Sequence, residues 1–193
     1  MKDIRNIRTD EASKHQPQFQ RVGTADGIPL VRVYFNHREE ERDSVMGDGT
    51  THTVHIADFI QRKSNLTDAL SVVKEEVLEQ IDDYDKSPSV NGFLLNGSVE
   101  WIDIELRMKL CSRTLPEEKK AGKTSTVLWL GNKPYELPIE TIEQIMHEIE
   151  IYAKACLDVT NSHKAKVLTL SDVSALVAYD YTAGYPEKLS FNI

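Results

Sequence analysis

Residues 28–36, "IPLVRVYFN", set Leu30, Arg32 and Tyr34 in alternation with Val31, Val33 and Phe35. β-Branched and aromatic residues in a two-residue rhythm predict a strand. "HREEERDS" (37–44) is too charged to bury and is expected to be a loop, with a turn at "GDG" (47–49). "THTVHIADFI" (51–60) alternates again through Val54, Ile56 and Phe59, so the two strands can pair as a hairpin with a long loop.

The rhythm then becomes helical. In 65–87, Leu66, Leu70, Val73, Val77, Ile81 and Tyr84 recur at steps of three and four and form one apolar stripe. Asn65 or Thr67 can cap its start, and Pro88 marks the exit. Lys74, Glu75, Glu79 and Asp82 make a solvated outer face. Asn96-Gly97, between two apolar runs in 90–102, is a strong hairpin signal that puts Phe93 and Leu95 on one face.

From Asp103, a candidate N-cap, Ile104, Met108, Cys111 and Leu115 form a second helical stripe. Leu106 and Leu110 widen it, which predicts burial on more than one side. Pro116 is expected to kink or end this helix, and Gly122 to terminate the turn after it. Residues 124–138 read as another hairpin, turning at Gly131-Asn132. Pro138 then opens the longest helix, 139–163, with a stripe from Ile142 through Ile145, Met146, Ile149, Tyr152, Ala153 and Cys156 to Val159. A short last helix is expected in 169–180, capped by Ser171.

Before residue 28 the pattern is weak. Phe19 and Val22 are the strong hydrophobes after Ile4 and Ile7. Residues 1–27 therefore read as an extended N-terminal arm, either disordered or ordered against a partner. The expected organisation is an α+β protein: an arm (1–27), a strand pair and linker (28–64), and a helix-rich domain (65–193) of about four helices and two β-hairpins.

Composition narrows the function. Hydrophobic residues make up 40% of the 193, enough for a core. The net charge of -8 argues against nucleic acid as the main partner. No apolar run is long enough to span a membrane, and the N-terminus has no stretch of signal-peptide type, so synthesis and folding in a cytoplasm are expected. Cys111 and Cys156 fall in apolar runs and are expected as buried thiols.

Candidate chemistry is sparse. "AGKTST" (121–126) ends like a phosphate-binding loop, but it lacks the earlier glycine and precedes a strand instead of a helix. "HEIEIY" (147–152) begins like a zinc-peptidase helix, yet Ile151 stands where the second histidine belongs. Glu143, His147 and Glu150 on that helix read as a solvated ion-pair face. His52 and His55 would point to opposite faces of a strand and cannot chelate one ion there. There is no nucleophile elbow and no Ser/His/Asp or Cys/His set. The reading is a non-enzyme, with no cofactor and no metal.

The strings "YDKSPSVNGFLLNGSVEWID", "AGKTSTVLWLGNKPYELP", "IYAKACLDVTNSHKAKV" and "AYDYTAGYPEKLSF" follow one another in this order. Together they resemble an uncharacterised domain family of phage and prophage proteins, often C-terminal in tail-region or virion-associated chains. The resemblance covers about residues 65–193, with Pro116 a departure. It implies a non-enzymatic structural protein of the virion, tail-associated or otherwise attached, made in the bacterial host cytoplasm. The implied partners are other phage structural proteins and further copies of the chain, without nucleic acid or membrane. An assembly chaperone or adaptor absent from the mature particle is the alternative.

Tyr179, Tyr181, Tyr185 and Phe191 crowd the C-terminal segment. Such rings either seal the groove between the long helix and the hairpin strands or dock on a neighbour. Gly184-Tyr185-Pro186 turns the chain back and "KLSF" alternates like an added strand, which favours sealing. The candidate partner-binding residues are Phe19, Val22, Tyr181 and Tyr185.

Overall fold

A computed structural model describes residues 7–43 and 49–193. The fold is α+β. The chain divides into two compact units: residues 1–81 with 164–181, and residues 82–163 with 182–193.

The first unit contains a four-stranded antiparallel sheet in the order β1–β4–β3–β2. Its strands are β1 (Ile7–Glu11), β2 (Phe19–Ala25), β3 (Ile28–Asp43) and β4 (Thr51–Lys63). The expected pairing of the two central strands is present, from Leu30 opposite Lys63 to Asp43 opposite Thr51. Val31, Val33, Phe35 and Ile60 meet Val72, Val73, Val77 and Ile81 of helix α1 (Ala69–Lys86) in one core. Val167, Val173 and Leu176 complete that core. Burying each such side chain contributes roughly 1.5–3 kcal/mol, so this face dominates the unit's stability. Tyr34, Ala57 and Phe59 form a smaller cluster with Ala12 packed against it.

Three expectations are corrected here. From residue 7 onward, 1–27 is no free arm, because β1 and β2 are the outer strands of the sheet; residues 1–6 lie outside the described residues. Outer strands are held through backbone hydrogen bonds while most of their side chains face water, so they leave little apolar rhythm. Only Ile7 and Phe19 of these strands pack on the core. Likewise 37–43 continues β3 instead of forming a loop, past an irregularity between Phe35 and Arg38 where Asn36 has φ 51°. Asparagine tolerates that left-handed conformation better than most residues. The turn expected at 47–49 falls mostly outside the described residues. The boundary expected at residue 65 is also displaced, since α1 up to Ile81 belongs with the sheet its stripe covers.

The second unit is built around helix α4 (Ile139–Thr169) up to His163. Strands β5 (Phe93–Leu95) and β6 (Ser98–Glu100) form the hairpin expected from Asn96-Gly97, both residues at positive φ. Strands β7 (Ser125–Leu130) and β8 (Lys133–Pro138) form the other. Their inward residues meet Ile139, Ile142, Ile145, Met146 and Ile149 of α4 in a second core. The short strand β9 (Ser190–Phe191) adds to β5 in parallel, as the alternation of "KLSF" suggested.

Helix α2 (Ile104–Lys109) starts at Asp103, whose carboxylate accepts the Leu106 amide at 2.8 Å. A π-helical segment (Leu110–Thr114) leads into helix α3 (Leu115–Lys120). Of the stripe expected here only Leu115 and the widening Leu106 and Leu110 hold: Ile104 is 59% and Met108 64% exposed, and Cys111 is exposed too. Of these residues, Leu106, Leu110 and Leu115 alone face the core. The Leu115 amide donates to the Leu110 carbonyl five residues back, so the π turn restores the phase that a 3.6-residue period would lose. Pro116, expected to kink or end the helix, instead sits in the first turn of α3, where a missing amide proton costs little. Gly122, at φ 79°, ends α3 as expected.

Helix α5 (Val173–Val177) is shorter than expected, and Asp172, not Ser171, caps it.

Candidate functional site

In the first unit, β3 and β4 outrun their neighbours. β2 accompanies β3 only as far as Val33, and β1 accompanies β4 from Ile60 to Ile56. Beyond that, residues 39–43 and 51–55 form a two-stranded ribbon, with the Ala12 amide still donating to the His55 carbonyl at its base. Residues 36–43 are exposed throughout. Antiparallel geometry turns alternate backbone groups outward, and the ribbon has no further strand on either side among the described residues.

Polar contacts hold the ribbon's base. Arg38 pairs with Asp58 at 3.0 Å, and Arg42 with Glu11 at 3.0 Å. Burial opposes the charge on Asp58, but hydrogen bonds from Thr9, Arg38 and Asn36 together hold its carboxyl below the usual range. His37 Nδ1 and His55 Nε2 are 3.3 Å apart with the rings stacked, while His52 is one of the exposed ribbon residues. No group of three metal-ligating side chains occurs among the described residues.

The second unit contains a cavity of about 190 Å3. Phe93, Ile102, Ile149, Ala153, Leu157 and Leu189 line it beside the more polar Asn91, Tyr152 and Cys156. Gly92 is tightly enclosed there, since a Cβ would come within 3.1 Å of the Pro88 carbonyl. Two charged side chains also line the cavity. Asp85 comes from the end of α1, and its Oδ1 accepts the Thr160 hydroxyl at 2.7 Å. Arg107 comes from the inner face of α2 and is only 8% exposed. Its Nη1 donates to Glu150 Oε1 at 3.1 Å, while its buried Nε has no partner. An unsatisfied buried donor costs about 1–3 kcal/mol. Tyr152 donates to the Val90 carbonyl at 3.0 Å, and burial pushes its phenol and the neighbouring Cys156 thiol up.

The residues singled out from sequence are scattered. Phe19 is half-buried on the first core, and Val22, 37% exposed, sits on the outer strand β2. Tyr179 and Tyr181 pack on the first core. Tyr185 lies in the second unit, 2.9 Å from the Thr160 hydroxyl, edge-on to Tyr84 and stacked on His163. Phe191 meets Phe93 edge-on at 5.9 Å. The terminal rings therefore divide between two cores instead of sealing one groove, and of the candidate contact residues Val22 is the most open.

Cys156 is buried as expected, whereas Cys111 is not. Lys123 and Thr126 of "AGKTST" both donate to Glu118. Glu143 takes Lys119 and Glu150 takes Arg107, as an ion-pair face would. The roles of Arg107 and Asp85 were missed from sequence, and the signal available was an arginine beside the inward leucines of a helix apolar on both sides.

No family model, curated protein or solved structure matches the chain. Among the described residues, no helix is long and apolar enough to cross a membrane.

Proposed function

We propose that this chain is a non-enzymatic assembly protein acting through protein–protein contacts, as a structural component of a bacteriophage virion, tail-associated or otherwise attached to the particle. One observation carries the contact role: past Ala12 and His55 the β3–β4 ribbon runs on with no further strand on either side among the described residues, and residues 36–43 are exposed. A two-stranded ribbon is marginal in water by itself. Adding a partner's strand to either edge satisfies its backbone and supplies the missing cover. The charges on β3, including Glu39, Glu40, Glu41 and Arg42, disfavour indiscriminate pairing and select a partner of matching charge.

The virion setting rests on the resemblance of residues 65–193 to the phage domain family. Its partners are then other virion proteins and further copies of this chain. Mass spectrometry of purified particles tests this reading. Stoichiometric presence is the expected result; presence in infected cells but absence from particles would replace it with the chaperone role.

A further inference from the structure

We propose that the second unit pairs with a second copy of this chain, each copy seating Trp129 in a groove beside Trp101 of the other. The contact uses a different surface from the ribbon and stands or falls apart from it.

Strand register fixes which way the side chains of the two hairpins point. Phe93 pairs with Glu100 and Leu95 with Ser98, on the face of β5–β6 that meets the core. Leu94 and Val99 are therefore turned the other way. In β7–β8 the core face carries Leu128 with Tyr135 and Leu130 with Lys133, so Val127 with Glu136 and Trp129 with Pro134 are turned outward. The hairpins adjoin at Glu100, which takes Lys133 at 3.1 Å and the Tyr135 hydroxyl at 3.2 Å. Their outward faces thus lie beside one another, away from the core they share. Trp101 is 55% and Trp129 57% exposed, and Val99 and Val127, each two residues away, are exposed too. An apolar patch of this kind marks a contact surface, and tryptophan is enriched among the residues that anchor such contacts.

Shape and charge identify the occupant. Lys86, Pro88, Val99 and Trp101 wall a mostly apolar groove of about 310 Å3, which has room for one aromatic side chain. Lys86 and Glu136 are both exposed, and neither side chain has a polar partner among the described residues. Glu136 is diagonal to Trp129 on the outward face of its hairpin, roughly 7 Å away. When Trp129 enters a groove walled by Lys86, Glu136 comes within reach of that lysine. The chain therefore carries both a ring and its groove, and both an acid and its base. A two-fold axis satisfies the two sets at once, because each contact is then made twice. The apolar centre supplies affinity, and the charge pair at its rim fixes the register.

The test is the mass of the full chain by sedimentation equilibrium over a wide concentration range. A monomer–dimer equilibrium is expected. Tryptophan emission should shift to the blue as the dimer forms, since Trp101 and Trp129 are the chain's two tryptophans. Trp129→Ala, at an exposed position, should leave the melting temperature of the dilute chain unchanged and weaken the dimer at least ten-fold. Lys86→Glu and Glu136→Lys should each weaken it, and the two together should restore it. A chain that stays monomeric, a mass that rises past the dimer, a dimer indifferent to Trp129→Ala, or no recovery in the double charge variant would overturn the proposal. Indifference to Trp129→Ala is what pairing through the ribbon alone would give, so the two surfaces are told apart.

Discussion

Arg62 on β4 donates to Glu76 on α1 at 2.9 Å, and both side chains are nearly buried. Glu79 and Glu75 approach the same guanidinium, at 2.7 and 3.5 Å. Burial alone would disfavour the arginine's charge, but the glutamates outweigh it and hold the guanidinium more strongly protonated than usual. Strand and helix are thus joined by ions as well as by the apolar core.

The partners are unequal. Arg62→Met removes a cation from beside the nearly buried Glu76 and should cost about 2–3 kcal/mol. Glu76→Gln leaves Arg62 two other carboxylates and should cost about 1 kcal/mol. Urea unfolding of both variants, and of Arg62→Met with Glu76→Leu, measures the difference. The double variant should recover part of the loss, because an apolar pair avoids the desolvation penalty.

The π segment makes a prediction about chain length. Deleting Ser112 together with Pro116→Ala should turn Leu110–Leu115 into an ordinary α-turn and keep Leu106, Leu110 and Leu115 on one face. The melting temperature is then expected to stay within a few degrees. Deleting Gln144 from the regular helix α4 rotates everything beyond it by about 100° and should abolish cooperative melting.

What the sequence disclosed depended on whether a residue's partner lies nearby or far away. Asp103 caps α2 and Asn96-Gly97 turns a hairpin because these are local events. The alternation of Val31, Val33 and Phe35 was legible because the strand has a buried apolar face. β1 and β2 were not, since pairing through the backbone leaves no hydrophobic rhythm. Residues 37–43 misled for a related reason: a ribbon exposed on both faces has the composition of a loop. After α2 the period itself changes in the π segment Leu110–Thr114, so the spacing that carries Leu110 to Leu115 could not be found with a helical ruler. Arg107 was hidden because arginine ordinarily marks a helix's wet side.

Asp58 sets an acid dependence. Its folded-state pKa is depressed, so the stability it adds is present above the unfolded carboxyl value and is lost as pH falls through the folded one. Asp58→Asn should therefore reduce stability near neutral pH and flatten the fall between neutral and strongly acidic pH. Urea midpoints across that range, for the native chain and the variant, provide the check.

The C-terminal rings should be structural. Tyr185→Phe removes a hydroxyl shared with Thr160 and is expected to cost about 1 kcal/mol. Phe191→Ala removes the ring set against Phe93 and should cost about 2–3 kcal/mol, below the full-burial range because Phe191 is half-buried. Removing residues 182–193 should lower the melting temperature well beyond either substitution. A truncated chain that melts unchanged would show that these rings stabilise nothing.

Amide hydrogen exchange across the ribbon, in the isolated chain and in purified particles, examines the contact role most directly. Thr51 and Thr53, on the same register as His55, whose carbonyl accepts the Ala12 amide, should exchange rapidly in isolation. In the particle, protection of these amides and of the outer edge of Arg38–Asp43 by at least ten-fold is expected. Equal exchange in the two settings would contradict assembly through the ribbon.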